Sequence, residues 1–242
     1  MTLEVLKSLT DVGVARKKLH DMGLSCLGGP VARLARRFGR RPGVSVGDEI
    51  KSWDVLRTME FVMANVARES SILDIGAYAS EIPCLLHKAG YRHVAAIDLN
   101  PDIRRMPYND SIRYEVGNFM ATPYPDRSLD AVTAISVIEH GFDGSRLLKE
   151  LSRLLRPGGY FIASFDYWPE KIDTTGVKLF GMDWLIFSRE DVTVLVKQAA
   201  DYGLVPLGEM GYDSKDRAID YGGKRYTFAW MVLRMTEGPR AG

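Results

Sequence analysis

Apolar residues recur along this chain with two periods. From about residue 48 to 68, Trp53, Leu56, Met59, Met63 and Val66 fall three or four apart, the spacing of one buried helix face. Beyond that, short apolar runs alternate with helical stripes. SILDIG (71–76), HVAAIDL (93–99), the more polar IRYEVGN (112–118), LDAVTAIS (129–136) and GYFIASFDY (159–167) read as five strands. Between the first two, Ile82, Leu85, Leu86 and Ala89 make a helix that Ser80 caps and Gly90 stops. Leu147, Leu148, Leu151, Leu154 and Leu155 define another, closed by Pro157-Gly158-Gly159. Ser188 with Asp191 resembles a capping box for a helix carrying Val192, Leu195, Val196 and Ala199, which ends at Gly203. LVPLGEM (204–210) and YTFAWMVLRM (226–235) read as a closing pair of strands.

Near-continuous apolar strands separated by helices predict an α/β fold with a parallel sheet covered on both faces. The expected division is a helical N-terminal extension or cap over 1–68, one α/β domain over 69–237 and a frayed tail over 238–242.

Composition narrows the function classes. With 46% hydrophobic and 26% charged residues, disorder and a disulfide scaffold are disfavoured. The net charge of +1 gives no whole-protein field for nucleic acid or anionic membrane. Cys26 and Cys84 form no disulfide framework or metal spacing. No apolar run approaches ~20 residues, and MTLEVLKSLT has no signal-peptide pattern, so a cytoplasmic protein without a membrane span is expected. The charge is uneven, however. Residues 1–57 hold eleven Lys/Arg against six Asp/Glu, with Arg33, Arg36, Arg37, Arg40 and Arg41 clustered before Pro42-Gly43. That run reads either as a solvated helix face or as a cap that attracts an anionic substrate. It lacks the aromatic interleaving of a nucleic-acid surface.

In an open α/β sheet, ligands bind beyond the carboxyl ends of the strands. The first strand delivers Asp74-Ile75-Gly76-Ala77-Tyr78, the second Asp98-Leu99-Asn100, the third Gly117-Asn118-Phe119, the fourth Ser136 through His140, and the fifth Asp166-Tyr167-Trp168. A dinucleotide would set its pyrophosphate on the first loop, cradled by glycine amides. Here Gly76 is the one glycine and Asp74 is an anion, so a nicotinamide-dependent oxidoreductase is disfavoured. S-adenosyl-L-methionine, cationic and free of phosphate, suits the loop. Asp74 would help hold its amino-acid end, and Asp98 would accept its ribose hydroxyls.

Four stretches in order carry a resemblance: ILDIGAYASE, AAIDLNP, YPDRSLDAVTAISVIEH and LLKELSRLLRPGGYFIAS. Over roughly residues 70–235 the chain resembles a class I S-adenosylmethionine-dependent methyltransferase, of the broad type found in small-molecule and cell-envelope sugar modification. The resemblance implies a Rossmann-like seven-stranded sheet with its last strand antiparallel. It also implies that Gly76, Ala77 and Tyr78 face the methionine part, and that Asp98 binds ribose. Leu99 would flank adenine, Asn118 would stand where an adenine-reading acid is common with Phe119 beside it, and Ser136 would border the cofactor. Tyr78 and Ser80 stand where two loop glycines are usual, which leaves open a binding or scaffold protein that has kept the fold and lost catalysis.

Methyl transfer to a hydroxyl usually needs a base. His140 and Asp166 are the candidates, for an acceptor such as a sugar or hydroxylated metabolite. Glu139-His140 echoes a metal-assisted subset of O-methyltransferases. That subset needs a further acid where this chain has Ser136, so no metal is expected. The long connection over 167–187 offers Trp168, Asp173, Asp183 and Trp184 as an acceptor rim. His20, His87 and His93 read as structural or solvated.

Overall fold

A computed structural model of the chain describes residues 2–27, 44–141, 143–179 and 181–237. The arginine cluster over 33–41, Pro42-Gly43 and the tail lie outside the described residues.

The strands are β1 (Leu3–Val5), β2 (Ser71–Ile75), β3 (His93–Asp98), β4 (Arg113–Val116), β5 (Leu129–Ile135), β6 (Leu155–Tyr167), β7 (Lys178–Leu179), β8 (Met182–Asp183), β9 (Leu204–Pro206), β10 (Ile219–Tyr221) and β11 (Lys224–Met235). The helices are α1 (Leu9–Asp21), α2 (Ser52–Asn65), α3 (Ile82–Lys88), α4 (Gly144–Leu154) and α5 (Arg189–Asp201). A short 3-10 turn, Glu49–Lys51, leads into α2.

The main sheet runs β1-β11-β6-β5-β2-β3-β4, with β9 and β10 also paired to β11. β2 is parallel to both β3 and β5, and β5 to β6. β11 is antiparallel to β6, and β9 pairs with the end of β11. The seven strands expected from sequence are therefore present as β4-β3-β2-β5-β6-β11-β9, with β11 reversed. β1 and β10 are additions. β1 lies in the segment read as a helical extension, and three residues are too few to show alternation. Its place is set by pairing Leu3 with Met231 and Val5 with Ala229.

Alternate residues of the strands supply two cores. Leu73, Ile75, Val132, Ala134, Phe161 and Phe165 pack with the leucine stripe of α4 and with α5. Ile72, Val94, Ala131, Ile162 and Trp230 pack with α1, α2 and α3. Leu147, Leu148, Leu151 and Leu154 are each 1% exposed, and each such burial contributes roughly 1.5–3 kcal/mol. Ser188 and Asp191 complete the capping box of α5. Ser80 accepts the Ile82 N–H at 3.3 Å at the start of α3, although the residue at the N-cap itself is Glu81.

The strand order reverses between β2 and β5, each of which starts a run toward its own edge of the sheet. A crevice opens at such a switch point, and here it holds the site.

Candidate functional site

A cavity of ≈ 1210 Å³ sits over the carboxyl ends of β2, β3, β5 and β6, and the segment Gly47–Lys51 forms part of its wall. Gly76, Tyr78, Asp98, Leu99, Phe119, Ser136, His140 and Asp166 border it. Asp74, Ala77 and Asn118 do not.

At the β2–β3 end the backbone comes close to the cavity. Gly76 has φ +62, and a Cβ there would stand 2.6 Å from both methyls of Val137. Ala79, three residues on, also has φ 62. The loop thus makes its left-handed turns with one glycine and one alanine. Asp98 closes β3. Its Oδ2 accepts the Tyr78 N–H at 2.9 Å and its Oδ1 accepts the Asn100 N–H at 2.8 Å. Each oxygen keeps further acceptor capacity. Leu99 beside it is 63% exposed, an apolar surface that a flat ring would cover. Ser136, at φ 53 after β5, has a buried Oγ without a hydrogen-bond partner among the described residues.

Three of the expected residues stay off the cavity wall. Asp74 is 1% exposed; its Oδ1 accepts the Thr133 hydroxyl at 2.5 Å, and burial pushes its pKa up to about 7. It supports the loop from below, through β5. Ala77 is fully buried, with its N–H donated to Ile97 O at 3.2 Å. Asn118 turns its Oδ1 back to the Met120 N–H at 2.9 Å.

The residues at the rim fit S-adenosyl-L-methionine. The loop approaches closely, and a carboxylate is held at the strand end.

At the other end Asp166, 4% exposed, accepts the Trp184 Nε1–H at 2.8 Å. Lys51 Nζ lies 3.8 Å from Asp166 Oδ1 and 3.4 Å from the Phe228 ring centroid. Asp54 on α2 accepts the Ser164 hydroxyl at 2.9 Å, and burial raises its pKa to about 6. Glu139 is 1% exposed; burial, then the charge of Asp166, pushes its carboxyl well above the usual range. Burial pushes His140 the other way and keeps its imidazole neutral near pH 7.

Lys51 and Asp54 were not legible as site residues, since both fall in a helical pattern. The signal was an acid, Asp54, set between Trp53 and Val55 on an apolar stretch. The expected rim of the long connection forms differently. Trp168 and Trp184 are 8% and 3% exposed and turn inward, because Trp184 is pinned to Asp166 and bridges His140. Asp173, Asp183 and Trp184 border a separate recess of ≈ 420 Å³ instead. No group of three potential metal ligands occurs among the described residues, and no described helix is long and apolar enough to cross a membrane.

Known proteins share the fold. Residues 73–163 match the family model described as a methyltransferase domain. A demethylmenaquinone methyltransferase of Symbiobacterium thermophilum is 37% identical over 75 residues, covering 31% of this chain and 26% of that protein. A sarcosine/dimethylglycine N-methyltransferase of Halorhodospira halochloris is 32% identical over 133 residues, covering 50% of this chain and 47% of that protein. The chain thus spans less than half the length of these curated relatives. The solved geranyl diphosphate C-methyltransferase of Streptomyces coelicolor A3(2), in complex with S-adenosyl-L-homocysteine, aligns with a TM-score of 0.56. It is 16% identical and covers 87% of this chain and 100% of that one. The fold is therefore the Rossmann-like methyltransferase sheet, whose typical cosubstrate is S-adenosyl-L-methionine.

Proposed function

From the match of residues 73–163 to the methyltransferase-domain family model, we propose that this chain is a class I S-adenosylmethionine-dependent methyltransferase that transfers the methyl group of S-adenosyl-L-methionine to a small polar acceptor. The observation that carries the reading is the Asp98 carboxylate, fixed at the end of β3 by two backbone N–H groups and bordering the cavity across from Gly76. In this reading Asp98 holds the ribose, Leu99 and Phe119 flank the adenine, and Gly76, Tyr78 and Ser136 line the methionine part. Asp74, Ala77 and Asn118 act one layer below, by shaping the loops. Within the expected N-terminal cap, the segment Gly47–Lys51 borders the cavity.

The bound cosubstrate supplies an activated methyl group on sulfonium. The protein supplies alignment and a dry site. The acceptor lies at the Glu139, His140 and Asp166 end, where a proton can be taken. A neutral His140 at this end can accept a proton that the acceptor gives up. A sugar has less support, since Trp168 and Trp184, the aromatics expected to form its rim, do not border the cavity. The N- and C-directed reactions named for the relatives leave the accepting atom open.

Calorimetry with S-adenosyl-L-methionine and S-adenosyl-L-homocysteine tests the reading. Saturable binding of both is expected, and absence of heat at high protein concentration would sink it. Formation of S-adenosyl-L-homocysteine in the presence of an acceptor removes the alternative of a non-catalytic scaffold.

A further inference from the structure

The acceptor end is rich in acids. Among the described residues, Asp54, Glu139 and Asp166, each at most 4% exposed, stand around the ammonium of Lys51. Two of the three acids have donors, Ser164 for Asp54 and Trp184 for Asp166. Glu139 has none: it is 1% exposed, it borders the cavity, and neither carboxyl oxygen has a hydrogen-bond partner among the described residues. A buried polar group left unpaired requires an explanation, and a donor-bearing ligand in the cavity would supply one.

Lys51 shows what the wall tolerates. Its ammonium rests 3.4 Å from the Phe228 ring centroid and 3.8 Å from Asp166 Oδ1, a cation held by an aromatic face and a carboxylate. Tyr226 continues that face, edge-on to Phe228 with centroids 6.1 Å apart, and both rings border the cavity.

Building on the methyl-transfer reading above, we propose that the acceptor is a small amine, received as its ammonium ion by Glu139, with the ring of Tyr226 beside it and the Lys51 ammonium kept on Phe228 and Asp166. An alcohol would bring one O–H to Glu139. An ammonium brings up to three N–H groups and a charge that favours the carboxylate form. An anionic acceptor would meet two acids.

The step balances. The arriving cation displaces the Glu139 proton to solvent, and the carboxylate then takes one N–H proton. The nitrogen lone pair forms the N–C bond as the methyl–sulfur bond breaks, and that electron pair stays on sulfur. The products are the N-methylated ammonium, a neutral thioether and one proton released overall.

The test uses three probes that share a tert-butyl group: tert-butylammonium, tert-butanol and pivalate. Each is titrated by ligand-observed NMR into protein saturated with S-adenosyl-L-homocysteine. The ammonium is expected to bind at least tenfold more tightly than either other probe, and Glu139→Gln is expected to remove most of that preference. Equal or tighter binding of tert-butanol or pivalate, no binding of any probe, or an unchanged preference in Glu139→Gln overturns the proposal. The wild-type comparison stands without the variant. Calorimetry with S-adenosyl-L-homocysteine on the same samples separates the two levels. Failure there removes methyl transfer and the amine with it, whereas success there without a cation preference removes the amine alone.

Discussion

The backbone N–H of Tyr78 meets Oδ2 of Asp98 at 2.9 Å, which ties the loop after β2 to the carboxylate that ends β3. Asn100 engages the other oxygen. The acid is therefore oriented before any ligand arrives, and less order is lost on binding.

The same loop makes a reciprocal pair of stability predictions. Gly76 and Ala79 both have φ +62, a region that is unfavourable by roughly 1–2 kcal/mol for residues with a Cβ. Gly76→Ala adds a clash with Val137 and should destabilise by about 1–3 kcal/mol. Ala79→Gly removes strain at the cost of a looser unfolded chain, and should be neutral to stabilising by up to about 1 kcal/mol. Denaturant midpoints of the two variants check the pair; the opposite ranking would contradict the backbone assigned to this loop.

Arg16 on α1 reaches Glu81 with two bonds, 3.0 Å and 2.9 Å, and Ser52 with a third at 2.8 Å. The Glu81 side chain is 1% exposed and also accepts the Cys26 N–H at 2.6 Å. Arg16→Ala strands that acid and should cost about 3–5 kcal/mol. Arg16→Met combined with Glu81→Gln should recover a large part. Urea unfolding of the single and double variants measures the difference, and an additive loss would contradict a coupled pair.

Asp74 gives a pH prediction. Its pKa rises from 3.8 to about 7 in the fold because burial disfavours the carboxylate. Between those values the native state keeps a proton that the unfolded state has lost, so stability falls as pH rises from about 4 to 7 and then levels off. Asp74→Asn keeps an oxygen for Thr133 and removes the titration. Relative to the variant, the wild type should lose stability between pH 5 and pH 8; parallel curves would contradict a protonated Asp74.

Much of this was legible in the sequence, because strand ends follow from apolar runs and turn residues. Asp98, Gly76, Ser136 and His140 reach the cavity from positions that the pattern located. The capping box of Ser188 and Asp191 was likewise local. Less legible was whatever depends on which side of a loop faces out. Asp74 ends within β2, so its side chain is enclosed by β5 and Thr133. Asn118 turns onto its own backbone. The acceptor end joins residues 51, 54, 139 and 166 from four elements, and no short-range pattern links them. β1 exists through its pairing with β11, a contact between the two ends of the chain.

The most direct test of the central claim is calorimetry of S-adenosyl-L-homocysteine with the wild type and with Asp98→Ala. The expected result is binding to the wild type and a loss of about 1–3 kcal/mol in the variant, from the unpaired polar partners, with the variant's fold retained. Equal affinity in the two proteins, or no binding to either, would contradict the placement of the ligand over β2 and β3.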